Sequence, residues 1–151
     1  MTKGKKILIA SDHAGVELKS SIQKSLPEYE WMDLGPTTGS RVDYPDFAEK
    51  LGARIAGGEA EFGILICGSG VGMSIAANKI TGIRAALVEN PVAARLSREH
   101  NNANVLCLGS RFIAPEYGAE IAKTWLETPF SNDNRHNGRI QKISKLEKHS
   151  S

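Results

Sequence analysis

Two patterns of apolar positions alternate along the chain. Short, nearly continuous apolar runs occupy residues 7–11, 29–34, 62–67, 83–88 and 105–108. Between them, apolar residues return every three or four positions: Leu18, Ile22 and Leu26; Phe47, Leu51 and Ile55; Ile121 and Trp125. The first pattern predicts strands and the second helices. The run FGILIC at 62–67 shows no alternation, so the strand it predicts is covered on both faces. The run at 29–34 predicts a weaker strand. Punctuation supports the helices. Pro45 suits the first turn of the helix after the 35–44 loop, Asn90-Pro91 reads as N-cap and first helical residue, and Pro115 opens another helix. A glycine loop leads into a small-residue helix over 70–78, and a last amphipathic stretch carries Ile140, Ile143 and Leu146. Five strands interleaved with helices predict an α/β fold, a Rossmann-like three-layer sandwich with a five-stranded, mostly parallel sheet and a C-terminal helix.

Length and composition narrow the class. A chain of 151 residues has the size of one domain and can bury a core without disulfides or a structural metal, so residues 1–151 are read as a single unit. The formal charge of +2, with both signs mixed along the chain, argues for neither nucleic acid nor membrane as a partner. Cys67 and Cys107 lie far apart in apolar runs, the usage of a reducing compartment, and the expected location is cytoplasmic. The opening MTKGKK runs straight into the first strand and lacks a signal-peptide core. No His/Cys/Asp group has metal-ligand spacing, and neither metal nor organic cofactor is expected.

In a parallel sheet flanked by helices, ligands bind at the carboxyl ends of the strands. Three predicted strands end in polar or reactive residues: Ser11-Asp12-His13, Cys67-Gly68-Ser69-Gly70-Val71-Gly72, and Gly109-Ser110-Arg111. Cys67 stands just before a glycine loop and a helix N-terminus, where N–H groups and the macrodipole favour a thiolate. The loop glycines let backbone N–H groups approach a ligand and hold an oxyanion. A base beside such a nest suits abstraction of a proton next to a carbonyl. The plainer reading makes Cys67 a small buried hydrophobe, the reading kept for Cys107, which has no glycines following it in this way. The loop is neither a dinucleotide fingerprint, since Met73 stands where a third glycine is needed, nor a P-loop, since no Gly-Lys-Ser/Thr follows. Asp12 and His13 read either as an N-cap pair or as contacts to sugar hydroxyls and phosphate; Tyr44 either closes a loop or lines the site. Arg135 and Arg139, four apart, form either a phosphate clamp or a solvated basic face.

Several stretches together resemble one family. IASDHAG, TTGSRVDYPDFA, ILICGSGVGMSIAANK, EHNNANVLCLGSR and RHNGR, in that order over about residues 5–145, are similar to ribose-5-phosphate isomerase type B and its relatives, the galactose-6-phosphate isomerase subunits. The resemblance implies an aldose-ketose isomerase working through an enediolate in the non-oxidative pentose phosphate pathway. It implies that Cys67 is the base, that Gly68–Gly72 (with Val71) form the anion hole, and that the Ser69 hydroxyl lies near the reacting oxygens. It further implies that His100 assists ring opening, that Asn101 binds the sugar, that Asp12 and Tyr44 bind the sugar and help with the ring, Asp12 as a catalytic residue, and that His13, Arg111, Arg135 and Arg139 hold the phosphate. Family members use no metal or cofactor and form homodimers or dimer-based tetramers. The chain path gives a second reason for a dimer: His100 and Asn101 precede the fifth strand, at the opposite edge from Cys67. A five-residue strand spans roughly 17 Å, which places a partner subunit's His100 and Asn101 in each site. The rival readings are an isomerase of a six-carbon sugar phosphate, a nucleotide- or flavin-binding module, and a sugar-phosphate-binding regulator without turnover.

Overall fold

The computed structural model describes residues 4–147; the sequence reading of residues 1–3 and 148–151 lies outside it. The strands are β1 (Lys6–Ser11), β2 (Glu30–Asp33), β3 (Phe62–Cys67), β4 (Ala85–Leu87) and β5 (Val105–Gly109). The helices are α1 (Val16–Ser25), α2 (Tyr44–Ala56), α3 (Val71–Ala77), α4 (Pro91–Asn101), α5 (Pro115–Glu127) and α6 (Asn134–Ser144), with a 3-10 turn over His13–Gly15 ahead of α1. The strands form one sheet in the order β2-β1-β3-β5-β4, and every pairing is parallel.

Alternation along each central strand sends side chains into two cores. Ile7, Ile9, Ile64, Ile66, Leu106 and Leu108 pack with Leu18 and Ile22 of α1, Ala94 of α4 and Trp125 of α5. Leu8, Ala10, Leu65, Cys67, Val105 and Cys107 pack with Leu51 and Ile55 of α2 and with Met73 and Ala77 of α3. The predicted doubly covered strand therefore has its reason: all six residues of β3 are buried. β2 and β4 are shorter than their apolar runs, because each edge strand pairs on one side only. Beyond β4, the Asn78 side chain accepts from Ala85 N–H at 2.8 Å and donates to Ala85 C=O at 3.0 Å, so it occupies the hydrogen-bonding positions of a further strand on that open edge.

Leu146 corrects the sequence reading. Read in one stripe with Ile140 and Ile143, it lies past the end of α6 and is 79% exposed. Lys19, next to the apolar seam of Leu18 and Ile22, is buried as well. On α1 it is 1% exposed, and its ammonium is held by Asp33 Oδ1 at 2.6 Å and the Pro36 carbonyl at 2.6 Å, tying the helix to the loop that follows β2. A buried ammonium requires partners of this kind.

Candidate active site at the carboxyl edge of the sheet

β1 and β3 lie side by side, with Ser11 paired to Ile66, so their carboxyl ends open into one crevice. Asp12 leaves β1 with its N–H donating to the Ile66 carbonyl at 3.0 Å. Its Oδ1 accepts from Ala14 N–H at 2.9 Å, which fulfils the capping reading for one oxygen of the carboxylate. The cap closes the 3-10 turn, and α1 starts one residue beyond it, at Val16. Next to it, His13 Nδ1 accepts from Val42 N–H at 3.3 Å. That bond leaves Nε2 to carry the ring hydrogen, so the imidazole presents a donor, and it ties the loop before α2 to the rim. Nothing in the sequence points to this contact, which joins positions 29 residues apart.

Around Cys67 the backbone is shaped by close approach. Gly70 has φ of +77°, and a Cβ there would meet Leu108 and Gly109 backbone at 2.9 and 3.0 Å. Only glycine fits, and the turn it makes aims its N–H at Cys67 Sγ, 3.2 Å away. Ser69 Oγ accepts from Val71 N–H at 3.2 Å, while Gly68 C=O accepts from Arg111 N–H at 2.9 Å. The N–H groups of Gly68, Ser69 and Gly72 have no protein acceptor among the described residues. They line the loop at the start of α3, the geometry an oxyanion nest requires. Tyr44, the first residue of α2, lies on Gly72 so closely that a Cβ there would come within 2.5 Å of its ring. The Arg111 guanidinium covers Gly68 from the other side, with Nε 3.1 Å from where a Cβ would stand. Cys67 itself is 4% exposed and lies under this loop.

Cys107 lies behind Cys67 on the same face of the sheet and is fully buried. Burial, with a smaller contribution from the charge of Cys67, pushes its thiol far above the ordinary range. It is core, as its sequence context suggested. Among the described residues no group of three or more His, Cys, Asp and Glu could hold a metal ion, and no helix is long and apolar enough to cross a membrane.

The remaining candidates are elsewhere in the chain. α4 starts after β4 at the carboxyl edge and runs back, so His100 and Asn101, its last two residues, reach the amino edge, where Asn104 C=O accepts from Gly63 N–H at the start of β3. Arg84 holds this end of α4, donating from its guanidinium to the carbonyls of Asn101 at 3.0 Å and Asn102 at 2.9 Å. Arg135 and Arg139 lie one turn apart on α6, both exposed, with Asp133 capping the helix through Arg135 N–H at 2.8 Å. Asp12, His13, Tyr44, Cys67, the 68–72 loop and Arg111 thus gather at one edge, and His100, Asn101, Arg135 and Arg139 belong to the other end of α4. A concavity of about 730 Å³ lies not beside Cys67 but at that second edge, lined by Asn78, Arg84, Asn101, Ile143 and Glu147 among others. Chemistry, not volume, selects the site: that concavity collects no base beside an oxyanion nest.

Comparison with known proteins identifies the family. The family model described as Ribose/Galactose Isomerase matches residues 7–143. The ribose-5-phosphate isomerase B of Escherichia coli is 44% identical over 145 residues, covering 95% of this chain and 97% of that protein. Among solved structures, the type B ribose 5-phosphate isomerase of Trypanosoma brucei superposes with a TM-score of 0.92 at 46% identity, covering 95% of this chain and 99% of that one. The ribose-5-phosphate isomerase B of Mycoplasma genitalium, solved with bound ribulose-5-phosphate, gives 0.90 at 43% identity, covering 96% and 97%.

Proposed function

Since the chain belongs to the ribose/galactose isomerase family, we propose that it is an isomerase interconverting ribose 5-phosphate and ribulose 5-phosphate, with Cys67 as the base. The observation that carries the assignment of the base is the Gly70 N–H held 3.2 Å from Cys67 Sγ, on a loop whose neighbouring N–H groups stand free. In this mechanism the furanose opens by moving the proton of the C1 hydroxyl to the ring oxygen, assisted by His100. The Cys67 thiolate then takes the proton from C2, and the electron pair forms the C1–C2 double bond while O1 becomes the enediolate oxygen. Backbone N–H groups of Gly68, Ser69 and Gly72, with the Ser69 hydroxyl, hold that charge. A proton passes from O2 to O1, and the Cys67 thiol returns its proton to C1. Thiolate is regenerated, and the two carbons exchange oxidation levels with no outside reductant. Asp12, Tyr44 and Asn101 bind the sugar oxygens. His13, through its Nε2 hydrogen, and Arg111, Arg135 and Arg139 hold the phosphate. Phosphate binding is remote from the reacting carbons, so its energy serves to position them against the base.

The same reading makes the protein a homodimer, or a dimer-based tetramer, with each site completed by the partner's His100, Asn101, Arg135 and Arg139. Two features support it. Within one chain these residues lie at the far end of α4 from Cys67. In addition, large apolar side chains are exposed on elements that open at the carboxyl edge: Val71 and Ile75 on α3, Leu87 on β4, Val92 on α4 and Phe112 after β5, at 37 to 65%. We further place the protein, as one isomerase domain, in the reducing cytoplasm, where its two free cysteines persist.

The decisive assay follows conversion of ribose 5-phosphate by the native protein and by Cys67→Ala. The variant is expected to lose about two to four powers of ten in turnover, the contribution of a positioned base, while retaining its circular dichroism. Turnover within a few-fold of wild type would reject Cys67 as the base.

A further inference from the structure

His136 is the one ionisable residue of the RHNGR stretch with no part in the mechanism so far, and its surroundings are unusual for a surface helix. Its neighbours Arg135 and Arg139 are exposed, yet His136 is 8% exposed. Its Nδ1 lies 2.8 Å from Ser131 Oγ, and its ring lies against that of His100 with centroids 4.4 Å apart and planes tilted by 34°. Ser131 is itself tied to α4, since its N–H donates to the carbonyl of Glu99 at 3.2 Å, one residue before His100. The loop carrying Ser131 is held in turn by Asn137, which donates to Asn132 Oδ1 at 2.9 Å, and by the Asp133 cap of α6. His100 has the opposite character. It is exposed, and neither of its ring nitrogens has a hydrogen-bond partner among the described residues. Its imidazole lies against the ring of His136, while both nitrogens remain open to a ligand.

We propose that His136, braced by Ser131, is a positioning residue that fixes the imidazole plane of His100 for opening of the sugar ring. The inference rests on the reading of His100 as the ring-opening residue. An unsupported exposed imidazole samples several rotamers, and proton transfer requires a donor and acceptor held within hydrogen-bond reach. The stack removes that freedom without occupying either nitrogen. It also places the positioning residue on α6 between Arg135 and Arg139, so the segment assigned to the phosphate is the one that orients the ring-opening group.

The two directions of the reaction separate this role from others. Ribulose 5-phosphate is acyclic, because its C5 oxygen is esterified and no furanose can close on C2. Exchange of its C1 proton with solvent deuterium therefore needs the base and the phosphate contacts but no ring opening. The experiment compares kcat and KM for ribose 5-phosphate with the rate of C1 exchange in ribulose 5-phosphate, followed by proton NMR in D2O. It uses the full-length native protein, His136→Ala, His136→Phe, Ser131→Ala, His100→Ala and Cys67→Ala. For His136→Ala, kcat on ribose 5-phosphate should fall about tenfold with KM little changed, and C1 exchange should stay within about twofold. His136→Phe keeps a ring face against His100 and should recover most of the turnover, and Ser131→Ala should fall between the two. Should His136→Ala fail to fold, the His136→Phe and Ser131→Ala variants carry the same comparison. Parallel loss of both activities in the His136 and Ser131 variants would overturn the proposal, as would no loss in either. If His100→Ala retains native turnover of ribose 5-phosphate, the ring-opening reading itself fails, whatever His136 does. Cys67→Ala must lose both activities, so failure of the proposed base is seen separately.

Discussion

At the scale of single residues, the two cysteines show how position divides one chemistry. They lie on the same face of adjacent strands, with Cys67 paired to Gly109 and Cys107 two residues back on β5. Cys67 ends its strand and meets the Gly70 N–H; Cys107 is in mid-strand and fully buried. Alkylation of the native protein with iodoacetamide should label Cys67 well ahead of Cys107, with inorganic phosphate or substrate slowing the reaction; peptide mass spectrometry reads the result. Equal labelling would contradict the division. Burial also makes Cys107 a pH-dependent contributor to stability. Its folded-state thiol titrates far above the ordinary value of about 8.5. Above that pH the unfolded chain binds fewer protons than the folded one, so stability falls as pH rises, by about 1.4 kcal/mol per unit. Urea denaturation at pH 8 and pH 10 should show that fall in the native protein and a shallower one in Cys107→Ala. Neither cysteine's role was settled by residue type, but the glycines after Cys67 and the unbroken apolar run around Cys107 already separated them.

Among the elements, the loops after β1, β2 and β3 depend on contacts that helical and strand periodicity does not encode. Lys19 and Asp33 are one such contact, between α1 and the end of β2. Burial alone would raise the Asp33 carboxyl, but hydrogen bonds from Lys19, Gln23 and Gly35 N–H outweigh it and hold the group below its usual range. A lowered folded-state value means that the unfolded chain takes up the proton first as pH falls. The stabilisation is therefore complete above about pH 4 and is lost as pH drops through the folded value. Asp33→Asn should cost about 3 kcal/mol at neutral pH, since it leaves the buried Lys19 ammonium without its counter-ion. The gap to wild type should narrow between pH 5 and pH 3 in urea titrations; a constant gap would remove the ion pair as its cause. The β3–α3 loop is equally exacting. Gly109→Ala would drive a Cβ to within 2.5 Å of the Ser69 carbonyl oxygen. The expected result is a folded protein with a displaced loop and a loss of turnover greater than its loss of stability. These close approaches were unreadable from sequence because they depend on strand register: Cys67 must face Gly109 before either glycine has a neighbour to avoid.

For the molecule as a whole, the central question is whether one chain completes the site. α4 separates Cys67 from His100 by the depth of the sheet, roughly 16 Å for its 11 residues at 1.5 Å each. Mixing inactive Cys67→Ala and His100→Ala proteins under subunit exchange is the direct test. In a two-fold dimer each heterodimer regains one intact site of two, so random exchange should restore about a quarter of native activity. No activity in proven heterodimers would argue that each chain works alone.

The sequence by itself determined the order of elements, the double burial of β3, the cap at Asn90, and the presence of a cysteine before a glycine loop at a strand end. These follow from local periodicity and from backbone demands within a few residues. Only the tertiary structure decided that β1 and β3 are neighbours, which brings Asp12 and Cys67 to one crevice, and that His13 is oriented by Val42, Lys19 is buried on Asp33, and His136 stacks on His100. Each of these joins distant segments, and strand order and helix packing, which minimise exposed apolar area over the whole chain, select the segments that meet.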